Sequence, residues 1–492
     1  MLEEIVKELS ENQNVRANLI QIKQLVKQEG VLNEWKEYHS KHPVLYALLS
    51  DEDAKTRKNA ALLLGITGEE AAVKALFEAY QKEDTLFVRS SYLTAMTGLD
   101  ISSVESMLKA RYEELLAVIP PQNEKKHVQE EIHALDRLVR SQQGITKHKF
   151  TGYEEAVTVL LTTNPDYAEV TAGQLKADRP VLVPSGVKVN TTHLRDIIAI
   201  RTFREMLFVL NCGHHIAMEP KQVAQAFLTS DLMELLERLH EGVAPFYFRM
   251  DIKGRMELEE KGNFIRKVVA EIETGSKNRL LNSVDGYEIE LRLVMNKDGT
   301  LYPALKLFTI PMRRFSYRKN AIASSIHPAS AALMMRLAEP YLKEKGQVLD
   351  PFCGVGTMLI ERDMLVQARD MYGTDVFGEA ILKARENATA AGRLINFINR
   401  DFFDFKHQYL FDEIITNMPV RGKKSKDEQD EFYGRFFDRA SSYLTADGVM
   451  ILYTNESGFV KKQLRLHKEY RLLEEYCIRK KDGFYLFIIG VK

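Results

Sequence analysis

The stretch "VLDPFCGVGTMLIE" (348–361) places an acidic residue and two glycines between two apolar runs. "GQVLD" has the profile of a buried parallel strand and "TMLIERDMLVQA" has the period of a helix, so "PFCGVG" must turn sharply between them. Gly354 and Gly356 permit positive φ and allow the backbone to approach a ligand closely. A strand, a glycine turn and a helix N-terminus form the usual ligand crevice at the carboxyl edge of an α/β sheet.

Two common phosphate-binding motifs do not fit this turn. A P-loop requires GxxxxGK[ST], and no Lys follows Gly356. A dinucleotide fingerprint requires GxGxxG, and the third glycine is missing. Cys353 lies inside the turn without a companion His or base, so a nucleophilic thiol is not expected.

Acidic residues follow at the distances where further parallel strands should end. Asp375 stands 25 positions beyond Asp350, after "DMYGT", and Asp401 follows "INFINR". A carboxylate at the end of the second strand can accept hydrogen bonds from both hydroxyl groups of a ribose. The alternative for both residues is a helix cap.

"DPFCGVGT" resembles the first motif of S-adenosylmethionine-dependent methyltransferases, in the form found in the branch that methylates amino groups of RNA and DNA. The resemblance implies that Asp350 faces the cationic methionine end of the cofactor. It also implies that Asp401 accepts a hydrogen bond from the adenine amino group and that "SSIHP" flanks the pocket. The implied cofactor residues are Asp350, Pro351, Phe352, Gly354, Gly356, Thr357, Asp375, Asp401, Phe402 and His327.

The segment "DEIITNMPVRGKK" predicts a fourth buried strand that ends in Asn417-Met418-Pro419-Val420. Enzymes that methylate a planar exocyclic amine carry [N/D]-x-P-[aromatic] at this position. The lone pair of such an amine is delocalised into the ring. An Asn oxygen and a backbone carbonyl can accept hydrogen bonds from its two N–H groups, which localises the lone pair on the nitrogen. These four residues are the predicted catalytic residues. Val420 replaces the aromatic residue that normally stacks on the base.

The elements ahead of this half divide into two further regions. Residues 1–145 have helical periodicity, and two similar units place Arg57 and Arg89 32 positions apart. The pattern resembles HEAT repeats; a plain helical bundle is the alternative. Residues 146–320 alternate short β-rich runs with helices, which predicts an α+β domain.

Basic residues interleaved with aromatic ones lie near the end of that second region. Between positions 261 and 319 there are twelve Lys or Arg against six Asp or Glu. Cations beside rings that stack on bases are typical of RNA contact, although a solvated strand face is the alternative. The predicted RNA-binding residues in this region are Arg313, Arg314, Arg318 and Lys319. Arg421, Lys423 and Lys424, in the run "RGKK" after Val420, are predicted to hold phosphates next to the active pocket, and a flexible charged loop is the alternative.

The order of "DIIAIRTFREMLFVL", "FRMDIKG", "NSVDGYEIELRLV" and "RRFSYRKN" ahead of a Rossmann-like half resembles the THUMP-containing RNA methyltransferases. The resemblance implies a ferredoxin-like/THUMP domain at 146–320 and a Rossmann-like class I methyltransferase domain at 321–492. It implies tRNA as partner and N2-methylguanosine as product. The helical region at 1–145 lies outside that pattern and is expected to bind a protein partner or support RNA.

Composition limits the classes of function. A net charge of −1 over 492 residues excludes binding of polyanions by bulk charge, so an RNA surface must be local. An acidic, amphipathic start and the lack of a long apolar run predict a cytoplasmic protein without a membrane span. Scattered Cys212, Cys353 and Cys477 predict a metal-independent protein. Two alternatives stay open: another acceptor (ribosomal RNA, DNA adenine or a protein amide) and a catalytically silent relative that binds RNA or protein.

Overall fold

The first region of the chain is helical, as predicted. The computed structural model describes residues 2–28, 30–118, 120–121, 123–143, 147–176, 178–423 and 425–492. The helices are α1 (Leu2–Ser10), α2 (Val15–Leu25), α3 (Val31–Lys41), α4 (Val44–Leu48), α5 (Ala54–Thr67), α6 (Ala72–Lys82), α7 (Leu86–Met96), α8 (Glu105–Ala117) and α9 (Lys125–Gln143). The predicted boundary at 145/146 lies outside the described residues.

The two arginines of the predicted repeat meet at one buried residue, Glu83. Arg57, in the first turn of α5, pairs with the Glu83 carboxylate through two hydrogen bonds of 2.8 and 2.7 Å. Arg89, one turn into α7, donates to the Glu83 carbonyl at 2.8 Å. Because Glu83 lies between α6 and α7, the arginines tie successive helical units together.

The central region is an α+β domain built on one mixed sheet. Within the described residues its main sheet has eight strands in the order β3-β4-β2-β5-β10-β9-β7-β8, and β1 pairs with β6 separately. Its strands are β1 (Lys149–Phe150), β2 (Val157–Thr162), β3 (Val181–Val183), β4 (Gly186–Thr191), β5 (Glu205–Phe208), β6 (His240–Glu241), β7 (Phe246–Lys253), β8 (Leu280–Asn282), β9 (Ile289–Met295) and β10 (Leu301–Leu307). Its helices are α10 (Ala168–Ala172), α11 (Leu194–Ala199), α12 (Pro220–Leu228), α13 (Leu232–Leu239) and α14 (Leu258–Gly275).

The C-terminal region is an α/β domain whose sheet has the order β13-β12-β11-β14-β15-β17-β16. The strands are β11 (Gln347–Asp350), β12 (Asp370–Asp375), β13 (Asn396–Asn399), β14 (Phe411–Asn417), β15 (Leu444–Thr454), β16 (Tyr470–Arg479) and β17 (Phe484–Val491). The helices are α15 (Pro328–Ala338), α16 (Thr357–Leu365), α17 (Gly378–Ala391), α18 (Lys426–Ser441) and α19 (Ser457–Leu466). The first five strands are parallel, and β17 is antiparallel to β15.

This sheet brings the predicted site residues to one edge. Asp350, Asp375 and Asn417 are the last residues of β11, β12 and β14, which are neighbours in the sheet. Parallel strands end on the same side, so the three polar side chains lie at the carboxyl edge, where α/β proteins bind ligands. Among the described residues no helix is both long and apolar enough to span a bilayer.

A buried cluster joins the central and C-terminal domains. Arg201 makes a two-pronged ion pair with Glu361 on α16, at 2.8 and 2.7 Å, and Tyr317 donates to Glu361 at 2.6 Å. The Arg314 guanidinium donates to the carbonyls of Ile200, Phe203 and Arg204 at 2.6–2.9 Å, and lies 3.6 Å over the Phe203 ring.

The prediction that Arg314 contacts RNA is therefore wrong, because this guanidinium is used up by backbone carbonyls within the protein. Burial, and then the neighbouring charge of Arg201, lower the pKa of Arg314 to about 9. The side chain still carries its charge at neutral pH and serves as a tie between domains.

Replacing Arg314 with Ala is expected to lower the free energy of unfolding by about 2–3 kcal/mol, because three carbonyls lose a charged donor. Urea unfolding followed by circular dichroism measures this change. Arg313→Ala is the matched control, because the side chain of Arg313, next to Arg314 in the chain, is exposed. Equal unfolding midpoints for the two variants would contradict the structural role of Arg314.

Candidate active site

The glycine turn is held in place by the neighbouring strand. The Gly354 amide donates to Asp375 Oδ2 at 2.9 Å, and the Cys353 amide donates to the Thr374 carbonyl at 2.9 Å. The Thr374 hydroxyl donates back to the Pro351 carbonyl at 2.9 Å. The ends of β11 and β12 are thus fixed to each other, and the turn between β11 and α16 has a defined shape.

The two glycines of the turn do different work, although both have positive φ, +51° at Gly354 and +81° at Gly356. A Cβ on Gly356 would lie 2.8 Å from the Phe397 ring, so this glycine is needed for packing inside the domain. Among the residues that the structure describes, a Cβ on Gly354 would meet only Ile322, at 4.0 Å. The predicted close approach of a ligand therefore fits Gly354, whereas at Gly356 the missing side chain makes room for Phe397.

Asp350 is buried, with 1% of its surface exposed. Its Oδ1 accepts a hydrogen bond from the Phe352 amide at 3.1 Å. Burial raises the pKa of Asp350 to about 7, the nearby Asp375 charge adds to the rise, and the hydrogen bond from the Phe352 amide and the proximity of the Thr416 hydroxyl oppose it. A buried carboxylate with so little compensation is suited to a cationic ligand.

Asp375 and Asp401 both serve as local caps. Asp375 Oδ1 accepts from the Phe377 amide at 2.9 Å, and Asp401 Oδ1 accepts from the Phe403 amide at 2.9 Å. Capping and ligand binding are compatible, because a carboxylate offers about four acceptor positions. Asp401 is exposed and Asp375 is half-buried, so both remain open to a ligand.

Phe402, one of the implied cofactor residues, lies inside the domain. Its side chain is 1% exposed and packs against the rings of Phe352, Phe436 and Tyr443. A ring without exposed surface cannot stack on adenine, so its role is in the core. Phe377, which sequence reasoning missed, is 68% exposed two positions after the strand-end Asp375. An apolar residue just beyond that strand was the signal that could have found it.

The residues present fit S-adenosylmethionine. Space opens in front of Gly354, and Thr357 Oγ1, buried at the start of α16, has no hydrogen-bond partner among the described residues. The donor set has the right chemistry, because carboxylates at successive strand ends suit an ammonium or sulfonium group and ribose hydroxyls.

His327 is a helix cap. Its Nδ1 accepts a hydrogen bond from the Ala329 amide at 3.1 Å, which fixes the start of α15. Burial, and then the charges of Arg204, Arg318 and Arg314, lower the pKa of His327 to about 4. The imidazole is therefore neutral at physiological pH, and no proton transfer is assigned to it.

Asn417 is half-buried at the end of β14, and its side-chain amide makes no hydrogen bond to any other residue that the structure describes. The Met418 side chain, in contrast to that of Asn417, is buried in the core with 2% of its surface exposed. The Met418 amide donates to the Tyr453 carbonyl at 2.9 Å, so the Met418 carbonyl is the group that remains for a substrate. The Pro419 carbonyl accepts from Gln429 at 3.4 Å. Val420 is 57% exposed and offers an apolar surface beside Asn417.

The other residues predicted to bind RNA differ in their exposure to solvent. Arg313 and Lys319 are exposed, whereas the Arg318 Nε is buried without a partner in the described part of the chain. Arg421 is exposed, with its Nε 3.8 Å from Glu456, and Lys423 is also exposed. Lys424 lies outside the described residues.

Sequence reasoning also missed Asn387, a fully buried polar residue on α17. Its Nδ2 donates to the Val355 carbonyl inside the glycine turn and to the Asn320 carbonyl, each at 3.1 Å. Its Oδ1 accepts from the Asn320 amide at 2.9 Å. This side chain couples the turn to the segment that leads in from the central domain. Its position on the apolar face of α17, next to Ala384 and Ala388, was the available signal.

Two family models match the chain. The model described as "RMKL-like, methyltransferase domain" matches residues 316–481, and a model of HEAT repeats matches residues 2–97. The HEAT match confirms the repeat interpretation over the plain bundle.

The chain is similar to a tRNA (guanine(10)-N2)-dimethyltransferase of Methanothermobacter thermautotrophicus, with 23% identity over 231 residues, which cover 42% of this chain and 67% of the relative. The fold of this chain resembles that of TrmN from Thermus thermophilus, with a TM-score of 0.52 and 20% identity; the match covers 68% of this chain and 99% of TrmN. It also resembles SMU.472 complexed with SAH (TM-score 0.51, 15% identity, 68% and 97%).

Residues 316–481 are accordingly a methyltransferase domain, and S-adenosylmethionine is the cofactor that its site residues fit. The residues at the ends of β11, β12 and β14 and the glycine turn lie within the matched span.

Proposed function

We propose that this protein methylates the exocyclic N2 amine of a guanosine in tRNA. The observation that carries the proposal is the unengaged amide of Asn417, held at the end of β14 beside the strand that ends in Asp350. The similarity to a tRNA guanine-N2 dimethyltransferase supports the choice of acceptor.

The chemistry follows from the acceptor. When bound, S-adenosylmethionine supplies a sulfonium methyl group, and methyl transfer forms an N–C bond as the S–C bond breaks. Asn417 Oδ1 and the Met418 carbonyl accept hydrogen bonds from the two N–H groups of the amine. These bonds localise the nitrogen lone pair toward the methyl group. The extra proton leaves once the nitrogen is cationic, so no strong base is needed beforehand. The exposed Val420 packs against the flipped base.

The cofactor residues divide their work by position. Asp350, the most buried of the three carboxylates, binds the methionine end of the cofactor. Asp375, on the next strand, accepts hydrogen bonds from the ribose hydroxyls. Asp401, beyond β13, accepts a hydrogen bond from the adenine amino group. Thr357 supplies an otherwise unpaired hydroxyl at the start of α16.

We further propose that residues 146–320 form a ferredoxin-like/THUMP unit that binds tRNA. The fold likeness to TrmN covers 68% of this chain, well beyond the C-terminal domain, and so includes central elements. The exposed Arg313 and Lys319, with Arg421 and Lys423 near Asn417, supply cations for phosphates. The HEAT repeats offer a surface for a protein partner.

Incubation of the full chain with labelled S-adenosylmethionine and total tRNA, followed by nucleoside mass spectrometry, tests the proposal. We expect N2-methylguanosine as the labelled product. Parallel incubations with ribosomal RNA, adenine-containing DNA and total protein cover the other acceptors. Label in N6-methyladenosine or in protein would replace the proposed acceptor, and cofactor binding without transfer to any acceptor would favour a silent relative.

A further inference from the structure

A cleft of about 330 Å³ lies between the central and C-terminal domains, outside the cofactor turn. One wall comes from the end of β2 and the segment before β5. The opposite wall comes from the start of α15 and the turn that joins β16 to β17. The lining residues that the argument uses are Asp166, Arg204, Arg479, Lys480, Lys481 and Asp482.

The cleft has a cationic excess: its lining has four Lys or Arg side chains against two carboxylates. Lys480 pairs with Asp166 at 2.9 Å, and Arg479 lies 3.6 Å from Asp482. Arg204 and Lys481 are exposed and form no ion pair with any described residue. Arg204 donates one hydrogen bond, to the Ser330 hydroxyl at 3.4 Å, and neither cation has a carboxylate partner among the described residues. Two cations, one on each domain, can therefore bind an anionic ligand.

A short stack of side chains connects the cleft to the catalytic edge. Tyr453, on β15, pairs across the sheet with Asn417. The Phe484 ring stacks on Tyr453 with centroids 5.0 Å apart, and the Arg479 guanidinium lies 4.1 Å over Phe484. Burial raises the pKa of Tyr453, and the charges of Arg479 and Arg204 oppose that rise, as expected for cations close to its hydroxyl.

We infer that this cleft binds the phosphodiester backbone of the RNA strand whose nucleotide enters the site beside Asn417. The inference rests on the proposed function and names a surface for it. A guanidinium and an ammonium on opposite walls can bind successive phosphates while the target base reaches the strand end. Because the cations come from two domains, the cleft also sets how RNA held by the central domain is presented to the catalytic domain.

The test is a charge reversal at the two unpaired cations. The double variant Arg204→Glu/Lys481→Glu of the full chain is titrated with total tRNA over a range of KCl concentrations. We expect affinity at least tenfold weaker than wild type near 0.1 M salt. We also expect the plot of log K against log salt to be shallower by about two units, since each lost phosphate contact removes about 0.9.

Arg471→Glu is the control, because Arg471 is exposed on β16, the strand that leads to Lys481, at the end away from the cleft. It should keep nearly wild-type tRNA affinity and salt dependence. Calorimetric affinity for S-adenosylmethionine, unchanged in all variants, shows that the catalytic domain is folded.

The outcomes separate this inference from the proposed function. If wild type transfers methyl groups to tRNA but the double variant binds tRNA like the control, the cleft inference is overturned and the function stands. A polyglutamate peptide tests the other occupant. If this peptide binds wild type and the control but not the double variant, while the tRNA affinity of the double variant is unchanged, the cleft binds an acidic protein segment and the RNA inference is overturned. If wild type transfers nothing to RNA, the proposed function fails on its own readout.

Discussion

Replacing Asn417 with Ala is expected to lower the turnover number for methyl transfer to tRNA by about a thousandfold, while affinity for S-adenosylmethionine stays within about twofold. The variant removes the acceptor that localises the amine lone pair, and such an electrostatic contact is worth about 3–4 kcal/mol in a transition state. Asn417 has no partner in the described part of the structure, so the truncation breaks no internal hydrogen bond. Single-turnover kinetics with labelled cofactor measure the rate, and calorimetry measures affinity.

Asn417→Asp is the matched control for this experiment. It keeps an acceptor oxygen of the same reach and should retain substantially more activity than Asn417→Ala. Transfer at the wild-type rate by Asn417→Ala would remove Asn417 from the assigned role. A parallel loss of cofactor affinity would indicate that the side chain shapes the cofactor site instead.

Affinity for S-adenosylmethionine is expected to fall about tenfold for each pH unit below 7 and to level off just above it. Asp350 has its pKa raised to about 7, chiefly by burial, so below that pH it holds a proton in the cofactor-free protein. Binding of a cation requires the carboxylate, and the proton must be released first, which weakens binding as the pH falls. Calorimetry between pH 5.5 and 8 measures this dependence, and proton release on binding appears in buffers of different ionisation enthalpy.

Asp350→Asn should bind the cofactor about 100-fold more weakly than wild type at pH 8, a loss of about 2.7 kcal/mol that is typical of a charge-assisted contact. Its residual affinity should show no step near pH 7. Asp370→Asn, on an exposed residue that begins β12, is the control and should keep the wild-type profile. A step that persists in Asp350→Asn would assign the titration to another group.

Much of the local structure followed from short stretches of sequence. The apolar run before Asp350, the glycines after it and the helical period beyond give a strand, a turn and a helix wherever the chain has them, because these signals act over a few residues. The hairpin at Asp298-Gly299 is of the same kind: β9 and β10 pair in register across it, with Gly299 at φ +81°. The repeat of Arg57 and Arg89 likewise identified the helical units.

Residues whose role depends on distant contacts were the ones that sequence misjudged. Arg314 has the charge of an RNA contact, but its guanidinium meets carbonyls more than 100 positions earlier in the chain. Phe402 lies next to a site residue, yet its side chain enters the core formed with α18. Gly356 is a glycine because Phe397, on another strand, occupies the space.

The amino-acid sequence by itself determined which strands end in Asp350, Asp375 and Asn417, and hence the kind of ligand that their common edge can bind. Only the tertiary structure decided which neighbouring charges and rings are free to meet that ligand and which are consumed inside the protein. The reason is physical: burial and pairing are set by surfaces that come together from remote parts of the chain, as the cleft between residues 163–204 and 478–482 illustrates.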